Sequence, residues 1–488
     1  MINLPRIKEL MSIIFTKLIK SDSVINLKML QKKNFSYVFI WIIYYAWVTV
    51  FTTWWTASPI MDNVFGTELR NMLHSVNLIS SAIFIFIIKK EWFVKFARIG
   101  SMFIIVGMCI FMTTKNNYLA LIAAILIGIS LGAFNISILI PFVFALNNTE
   151  KFYAVVGTNM LINIISFVQN SKYINVIPKT SDMIVSFALL ILALSSILFF
   201  KKEAVKCDDN IIKVKMPSRI YLTLVLNCIF AILCKGLGKG ILNITVGTTN
   251  IPVLLWYYIG GILGCIIYIA IFGFSKKSIH LAWNITFGSM TMGLLCNSFI
   301  DHVEMLEIVF AILIGISSTI GMINMYYMLG VIGKKYNSMK YIQLSILFIG
   351  ICGGLAGILV GNFIYNKNTF EISITASIIS VAVMLIFLML SPIFTQIYYC
   401  DEWVSDSEKN EIDNEHLYFF KKYCLSKREI EVCKLLLEGY TLRQISAIIS
   451  IAYPTVNTYC TSIYRKLGIN SRTELFIIFK DYPLKNGN

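Results

Sequence analysis

The sequence predicts an all-α chain: a polytopic membrane bundle of about twelve transmembrane helices, six plus six, followed by a small C-terminal domain of four helices. Three observations lead there. The chain is 57% hydrophobic and 14% charged, with a mean hydropathy of +0.74, the composition of a membrane protein. Long apolar runs recur from Ser36 to about Tyr398. From Leu425 to Leu475 the chain instead turns polar and basic, with helix-capping patterns at short intervals.

The apolar runs fall at 36–57, 71–88, 96–113, 118–146, 152–169, 182–200, 219–246, 251–274, 279–300, 305–332, 339–364 and 371–398. Several exceed the minimum for a crossing, which suits tilted helices or added end turns. The domains expected are a cytoplasmic amphipathic tail at 1–34, a first six-helix half at 35–200, a cytoplasmic loop at 201–218, a second half at 219–398, an acidic tether at 399–420 and the C-terminal domain at 421–488. In the tail, Ile7, Leu10, Met11, Ile14, Phe15 and Leu18 share one helical face, which suits either a helix on the inner membrane surface or a simple polar-flanked tail. The first 34 residues show no apolar core followed by a small-residue cleavage site, so no cleavable signal peptide is expected.

The formal net charge is +16, and much of it is expected in cytoplasmic loops. With a cytoplasmic N-terminus, inner loops hold Lys89, Lys90, Lys95 and Arg98, then Lys201, Lys202, Lys206, Lys213 and Lys215, then Lys276 and Lys277, then Lys334, Lys335 and Lys340. Outer loops hold only Arg70, Lys115, Lys172, Lys179 and Lys367. An even number of crossings returns the C-terminus to the cytoplasm. The eleven cysteines form no C-x-x-C pair and fall mostly in apolar runs, so they read as reduced packing residues. No nucleotide loop, no nucleophile with a base and no metal constellation is visible; neither an enzyme nor a cofactor is expected.

The C-terminal stretch reads as four helices. Ser426 and Glu429 form a capping box, Gly439 suits a left-handed helix end, and Thr441 with Gln444 forms a second box. Ile445, Ile448 and Ile449 give the second helix an apolar face. A third helix begins near Pro454, with Val456, Cys460, Ile463 and Leu467 facing the core and Thr458, Thr461, Ser462 and Arg465 opposite. Gly468 ends it, and Ser471 with Glu474 caps a short last helix. Two short helices joined by a tight turn form a helix-turn-helix, with the third helix as the element that would enter a DNA major groove. The other reading is a helical bundle that binds protein.

This stretch resembles the LuxR-type DNA-binding domain over its whole length, through Leu425, Arg428, Glu429, Val432, Leu436, Gly439, Ile445, Thr455, Val456, Ile463, Lys466, Leu467 and Arg472. It departs from the family at Asn457, where a lysine is usual, at Tyr459, where a histidine is usual, at Gln444, where an acid is usual, and at Ala452, where a serine cap is usual. The missing cap costs about 1 kcal/mol. The resemblance implies a transcriptional regulator of a bacterial cell, binding double-stranded DNA as a homodimer. The DNA-contacting residues it suggests are Arg443, Thr455, Asn457, Thr458, Thr461, Ser462, Arg465 and Lys466. The acidic segment before it carries Asp401, Glu402, Asp406, Glu408, Glu411, Asp413 and Glu415 and reads as a solvated tether. From Cys400 to Cys424 it would reach about 80 Å extended and about 25–30 Å as a coil.

The membrane part resembles the major facilitator superfamily in layout, through its six-plus-six division and the long central loop. The segment A-I-L-I-G-I-S occurs at 124–130 and again at 311–317, in the fourth and tenth runs, as two parallel halves would require. The Gly-and-Asp signature of that family between the second and third runs is absent; the chain has KKEWFVKFARIG there. Candidate small-molecule contacts are Tyr44 and Trp47 in an aromatic run that either lines a cavity or forms an interfacial belt, and Asn135, Asn324 and Tyr327 within apolar runs. Lys235 and Lys239, one helical turn apart, either hold an anionic ligand or reach the outer interface. The whole chain thus reads as a membrane-anchored regulator in contact with the lipid bilayer, and its alternative is a secondary transporter carrying a regulatory domain. Reporter fusions after residues 20, 208 and 488 should all report the cytoplasm. A periplasmic signal at 488 would sink this topology.

Overall fold

The computed structural model describes residues 27–56, 69–114, 116–170, 221–234, 251–274, 278–297, 305–351, 425–437, 439–449, 451–469 and 471–479, with short pieces near 188–201, 241–242 and 371–385. The segment at 6–20, the loop at 202–220, Lys235, Lys239 and the tether at 401–420 lie outside the described residues. The chain divides into two compact units, Met1–Trp403 and Val404–Asn488. Among the described residues both are helical and hold no strand.

The first unit contains α1 (Phe35–Thr56), α2 (Leu69–Ile87), α3 (Phe93–Thr113), α4 (Asn117–Phe144), α5 (Asn148–Asn170), α6 (Tyr221–Ile232), α7 (Val253–Phe274), α8 (Ser278–Asn297), α9 (Met305–Lys335) and α10 (Met339–Ile351). Among the described residues, five stretches, Lys90–Phe111, Tyr118–Phe144, Asn148–Val168, Val253–Gly273 and Met305–Lys335, are long and apolar enough to cross a membrane. Outward-facing Ile79, Ile83, Met102 and Ile122 are exposed, as expected where lipid is the solvent.

α4 and α9 occupy equivalent places. α2 and α3 both pack on α4, and α7 and α8 both pack on α9. The repeated A-I-L-I-G-I-S segment lies on these two central helices, and its glycine is closely approached by a neighbouring helix in each. A Cβ on Gly128 would come within 2.9 Å of Val76 on α2, and one on Gly315 within 2.1 Å of the Tyr257 carbonyl oxygen on α7. Small residues let helix backbones approach where water supplies no drive for association. α5 packs on α1, α7 and α9, and α10 packs on α2 and α6.

Polar groups tie the turn between α4 and α5 to its surroundings. The buried Glu150 carboxylate accepts from the Gln31 N–H (2.9 Å), the Asn34 side-chain amide (2.8 Å) and the Asn147 N–H (2.9 Å). The buried Lys151 ammonium donates to the Gly330 carbonyl at 2.8 Å, and Lys334 donates to the Leu146 carbonyl at 2.8 Å. Lys90 donates to the Asn337 side chain and lies over the Phe144 ring. The buried charges of Glu150 and Lys151 are thus met by hydrogen-bonding atoms, as a low-dielectric interior requires.

The second unit contains α11 (Lys427–Leu437), α12 (Leu442–Ile448), α13 (Tyr453–Leu467) and α14 (Arg472–Ile478) around its own core of Leu425, Val432, Leu436, Ile445, Val456, Ile463, Leu467 and Leu475.

Gly315→Ala should destabilise the full chain in detergent, by about 1–3 kcal/mol, because the new methyl meets backbone. Gly288→Ala, with nothing within 4 Å of its Cβ, should stabilise by up to about 1 kcal/mol through helix propensity. Equal thermal midpoints for the two variants would contradict the close α7–α9 approach.

Candidate nucleic-acid interface

The caps expected in the C-terminal unit are present. The Ser426 N–H donates to Glu429 Oε2 (2.6 Å) while the Glu429 N–H donates to Ser426 Oγ (3.3 Å). Thr441 and Gln444 bond reciprocally at 2.9 and 3.4 Å. The Glu474 N–H donates to Ser471 Oγ (3.3 Å). Gly439 (φ 98°) and Gly468 (φ 69°) take the left-handed conformation that ends α11 and α13. At the turn between α12 and α13, the Ser446 hydroxyl donates to the Ile451 carbonyl (2.6 Å) and the Ile451 N–H donates to the Ser446 carbonyl (3.1 Å). These two bonds fix the angle at which α13 leaves α12.

α13 begins at Tyr453 with Pro454 in its first turn, and Ala452 at its N-cap makes no side-chain bond. Val456, Cys460, Ile463 and Leu467 are buried, as the spacing requires. α12 differs from expectation: Ile445 is buried and Ile449 partly so, but Ile448 is 51% exposed. Ile445, Ile449 and Leu442 share the core stripe, and at 100° per residue Ile448 falls to the other side of Ile445, at the solvent edge.

The face of α13 away from the core carries Thr455, Asn457, Thr458, Thr461 and Arg465, all exposed, and Arg443 is exposed on α12. The Thr458 hydroxyl donates to the Pro454 carbonyl (2.9 Å) and the Thr461 hydroxyl to the Asn457 carbonyl (3.0 Å). Each hydroxyl oxygen keeps its acceptor lone pairs on this exposed face. Ser462 and Lys466, expected on the same face, are drawn to its edge. The Ser462 hydroxyl donates to Glu429 Oε1 at 2.6 Å, and the Lys466 ammonium donates to Glu429 Oε2 at 2.7 Å.

Glu429 is 5% exposed and joins α11 to α13. Burial pushes its carboxyl up, but hydrogen bonds from Lys466, Ser462 and Ser426 outweigh that and hold it down at about 2. Its capping role was legible in the S-x-x-E spacing; its reach across to α13 was not, since nothing local in a sequence links positions 33 and 37 residues apart. Arg472 acts similarly: its guanidinium donates to the Leu436 carbonyl at 2.6 Å, closing the end of α11, and lies over the Phe476 ring. Cys433 and Cys460 are buried thiols, and burial pushes Cys433 up to about 12, which makes it a packing residue rather than a nucleophile.

The candidate small-molecule contacts lie in the first unit. Tyr44 and Trp47 are buried on α1, and Tyr44 donates to Asn135 Oδ1 at 2.7 Å. The Asn135 amide donates in turn to Asn77 Oδ1 on α2 at 3.0 Å. Asn324 accepts from Tyr268 at 3.2 Å, and Tyr327 packs edge-on against Phe272 and Phe152. These residues form two groups, one around Asn135 and one around Asn324, with the Tyr326 ring near Trp41 and Tyr45 of α1. Buried Glu150, Lys151 and Glu307 were not singled out by sequence, because each sits at the edge of an apolar run.

Because the folded Glu429 carboxyl lies below its ordinary value of 4.5, its contribution to stability is complete above that pH and is lost as pH falls toward about 2. Glu429→Gln in a Val404–Asn488 fragment should cost about 1–3 kcal/mol at neutral pH. It should also flatten the acid-unfolding profile between those values; equal profiles would remove the ion pair from the account.

Residues 423–479 match the family model described as bacterial regulatory proteins, luxR family. The transcriptional regulatory protein DegU of Brevibacillus brevis is 30% identical over 83 residues, which cover 17% of this chain and 34% of that relative. The chain thus spans about a third of the length of the curated relative it matches. With the helix order, caps and core in place, the chain carries a C-terminal LuxR-type helix-turn-helix domain behind a unit of apolar, membrane-length helices.

Proposed function

We propose that this chain is a membrane-anchored one-component transcriptional regulator: the C-terminal domain binds promoter DNA, and the helical membrane unit senses a small molecule. The observation that carries the reading is the union, in one chain, of a LuxR-type domain with an exposed polar and cationic α13 face and five apolar helices of membrane length. The relative named as a transcriptional regulatory protein supports the DNA-directed role. The matching places of α4 and α9, with the repeated segment on each, support a six-plus-six, major-facilitator-like membrane domain. That layout also favours the second reading, a transporter carrying a regulatory domain; uptake of a substrate into vesicles would establish it.

On DNA, Arg465 reads a base edge from the centre of the α13 face, with Arg443, Thr455, Asn457, Thr458 and Thr461 around it. Ser462 and Lys466 act mainly by holding α13 through Glu429, with Lys466 at the rim of the face. The domain binds as a homodimer, since two copies on adjacent half-sites gain affinity through effective concentration.

Arg465→Ala in the Val404–Asn488 fragment should weaken operator binding by about 1–3 kcal/mol and relax preference at one base pair. The operator is found first by mapping the promoters bound in the parent cell. Unchanged affinity would remove Arg465 from the interface, and absence of any bound promoter would overturn the regulator reading.

A further inference from the structure

Glu429 decides which arc of α13 stays open. At about 100° per residue, Thr458 lies about 20° from Arg465 around the helix, and Ser462 and Lys466 lie about 60° and about 100° to the same side. Ser462 and Lys466 are the two side chains that Glu429 holds, so that flank is tied to α11. Thr461 and Asn457 lie about 40° and about 80° to the other side of Arg465. Asn457, Thr458, Thr461 and Arg465 are all exposed. Asn457, Thr461 and Arg465 follow one another at steps of one helical turn, with the cation at the C-terminal end of the row.

The hydroxyl protons on this arc are already engaged. Thr458 donates to the Pro454 carbonyl at 2.9 Å, and Thr461 donates to the Asn457 carbonyl at 3.0 Å. Each threonine therefore offers a partner its γ-methyl and an acceptor lone pair, and no donor. Asn457 offers a donor and an acceptor side by side on one planar amide.

The edges of the bases in a major groove differ in what they can match. Adenine presents its N6–H donor beside the N7 acceptor, which fits the Asn457 amide at both points. Guanine presents two acceptors, N7 and O6, so an amide bonded to both would set its oxygen against one of them. Thymine presents a 5-methyl group, the apolar feature that a threonine methyl can meet. The lysine usual in the family at position 457 would instead suit the two guanine acceptors.

We propose that Asn457, Thr458 and Thr461 make α13 a reader of A·T base pairs. Asn457 takes adenine through N6 and N7, and the methyls of Thr458 and Thr461 pack on thymine 5-methyl groups. Arg465, one turn beyond Thr461, is the place on the row that suits guanine. This rests on the reading of the C-terminal domain as a binder of promoter DNA and gives that site its base preference.

The test uses the purified full chain in detergent and a pool of duplexes with a randomised centre of about twenty base pairs, room for two half-sites a helical turn apart. Bound duplexes are sequenced, and the enriched site is remade with single changes. The parent should enrich half-sites holding A·T pairs, and Asn457→Lys should turn the preference at one position from adenine to guanine. Asn457→Ala should bind the enriched site about tenfold more weakly and be indifferent at that same position. Replacing thymine by uracil removes only the 5-methyl group, and at the contacted positions it should weaken the parent about threefold. Thr458→Ser and Thr461→Ser keep the hydroxyl and lose the methyl, so each should be blind to uracil at one of those positions. Enrichment of G·C at the position that Asn457→Lys alters overturns the proposal, as does equal affinity for thymine and uracil duplexes at every position. A loss in Asn457→Ala with no change of base preference, the mark of a phosphate contact, also overturns it. A parent that enriches no sequence at all overturns the regulator reading itself, so the two failures are distinguishable.

Discussion

The Glu429 carboxylate is the contact on which the placement of α13 depends. It caps α11, accepts from Ser462 and Lys466 of α13, and is nearly closed to solvent. A carboxylate in that position is tolerable only because its donors are preorganised; remove them and burial alone would favour the neutral acid. The cost of exposing α13 as a cationic ridge is that the ridge needs an anchor that does not consume its outer groups. Glu429 meets that need from beneath, using the two side chains at the edge of the face and leaving Arg465 at the centre outward.

In the membrane unit the corresponding constraint is close approach. α4 and α9 can hold a neighbour closely because glycines stand at the contact, Gly128 against the Val76 side chain of α2 and Gly315 against the backbone of α7. Helices that close leave little room for unpaired polar atoms. Most polar side chains there are accordingly satisfied locally: Ser130, Ser137, Thr158, Thr286 and Ser345 all donate to the carbonyl four residues back. Asn324 and Asn227 stand apart from that pattern.

The caps, the glycine turns and the core positions of α13 were legible in the sequence because each is a local rule, spanning four residues or one helical period. The A-I-L-I-G-I-S echo was also legible, but its meaning came from packing: only the structure shows its glycine meeting a neighbouring backbone. What sequence could not supply were contacts between distant positions. Ser462 reads as outward-facing by periodicity and Lys466 as DNA-contacting by resemblance, yet neither signal can say that Glu429 of another helix lies beneath the edge of α13. Ile448 has the spacing of an apolar face, but the core takes Leu442, Ile445 and Ile449, and Ile448 falls on the solvent side of that stripe. In the apolar unit, Tyr44 and Asn135 were single candidates until the Tyr44–Asn135–Asn77 chain joined three helices.

The way the C-terminal unit is built limits how a membrane signal can control it. The position of α13 is set by contacts inside that unit: the shared core, the Ser446–Ile451 bonds at the turn and the Glu429 clamp. Reorienting α13 would break several of these at once, and a ligand can shift an equilibrium only by its differential affinity for the two states. Changing how often two intact domains meet on adjacent half-sites breaks none of them. On the proposed reading, ligand binding in the membrane unit therefore acts on the availability or pairing of whole domains, where a modest change in effective concentration is enough, and leaves the Arg465 face as it is.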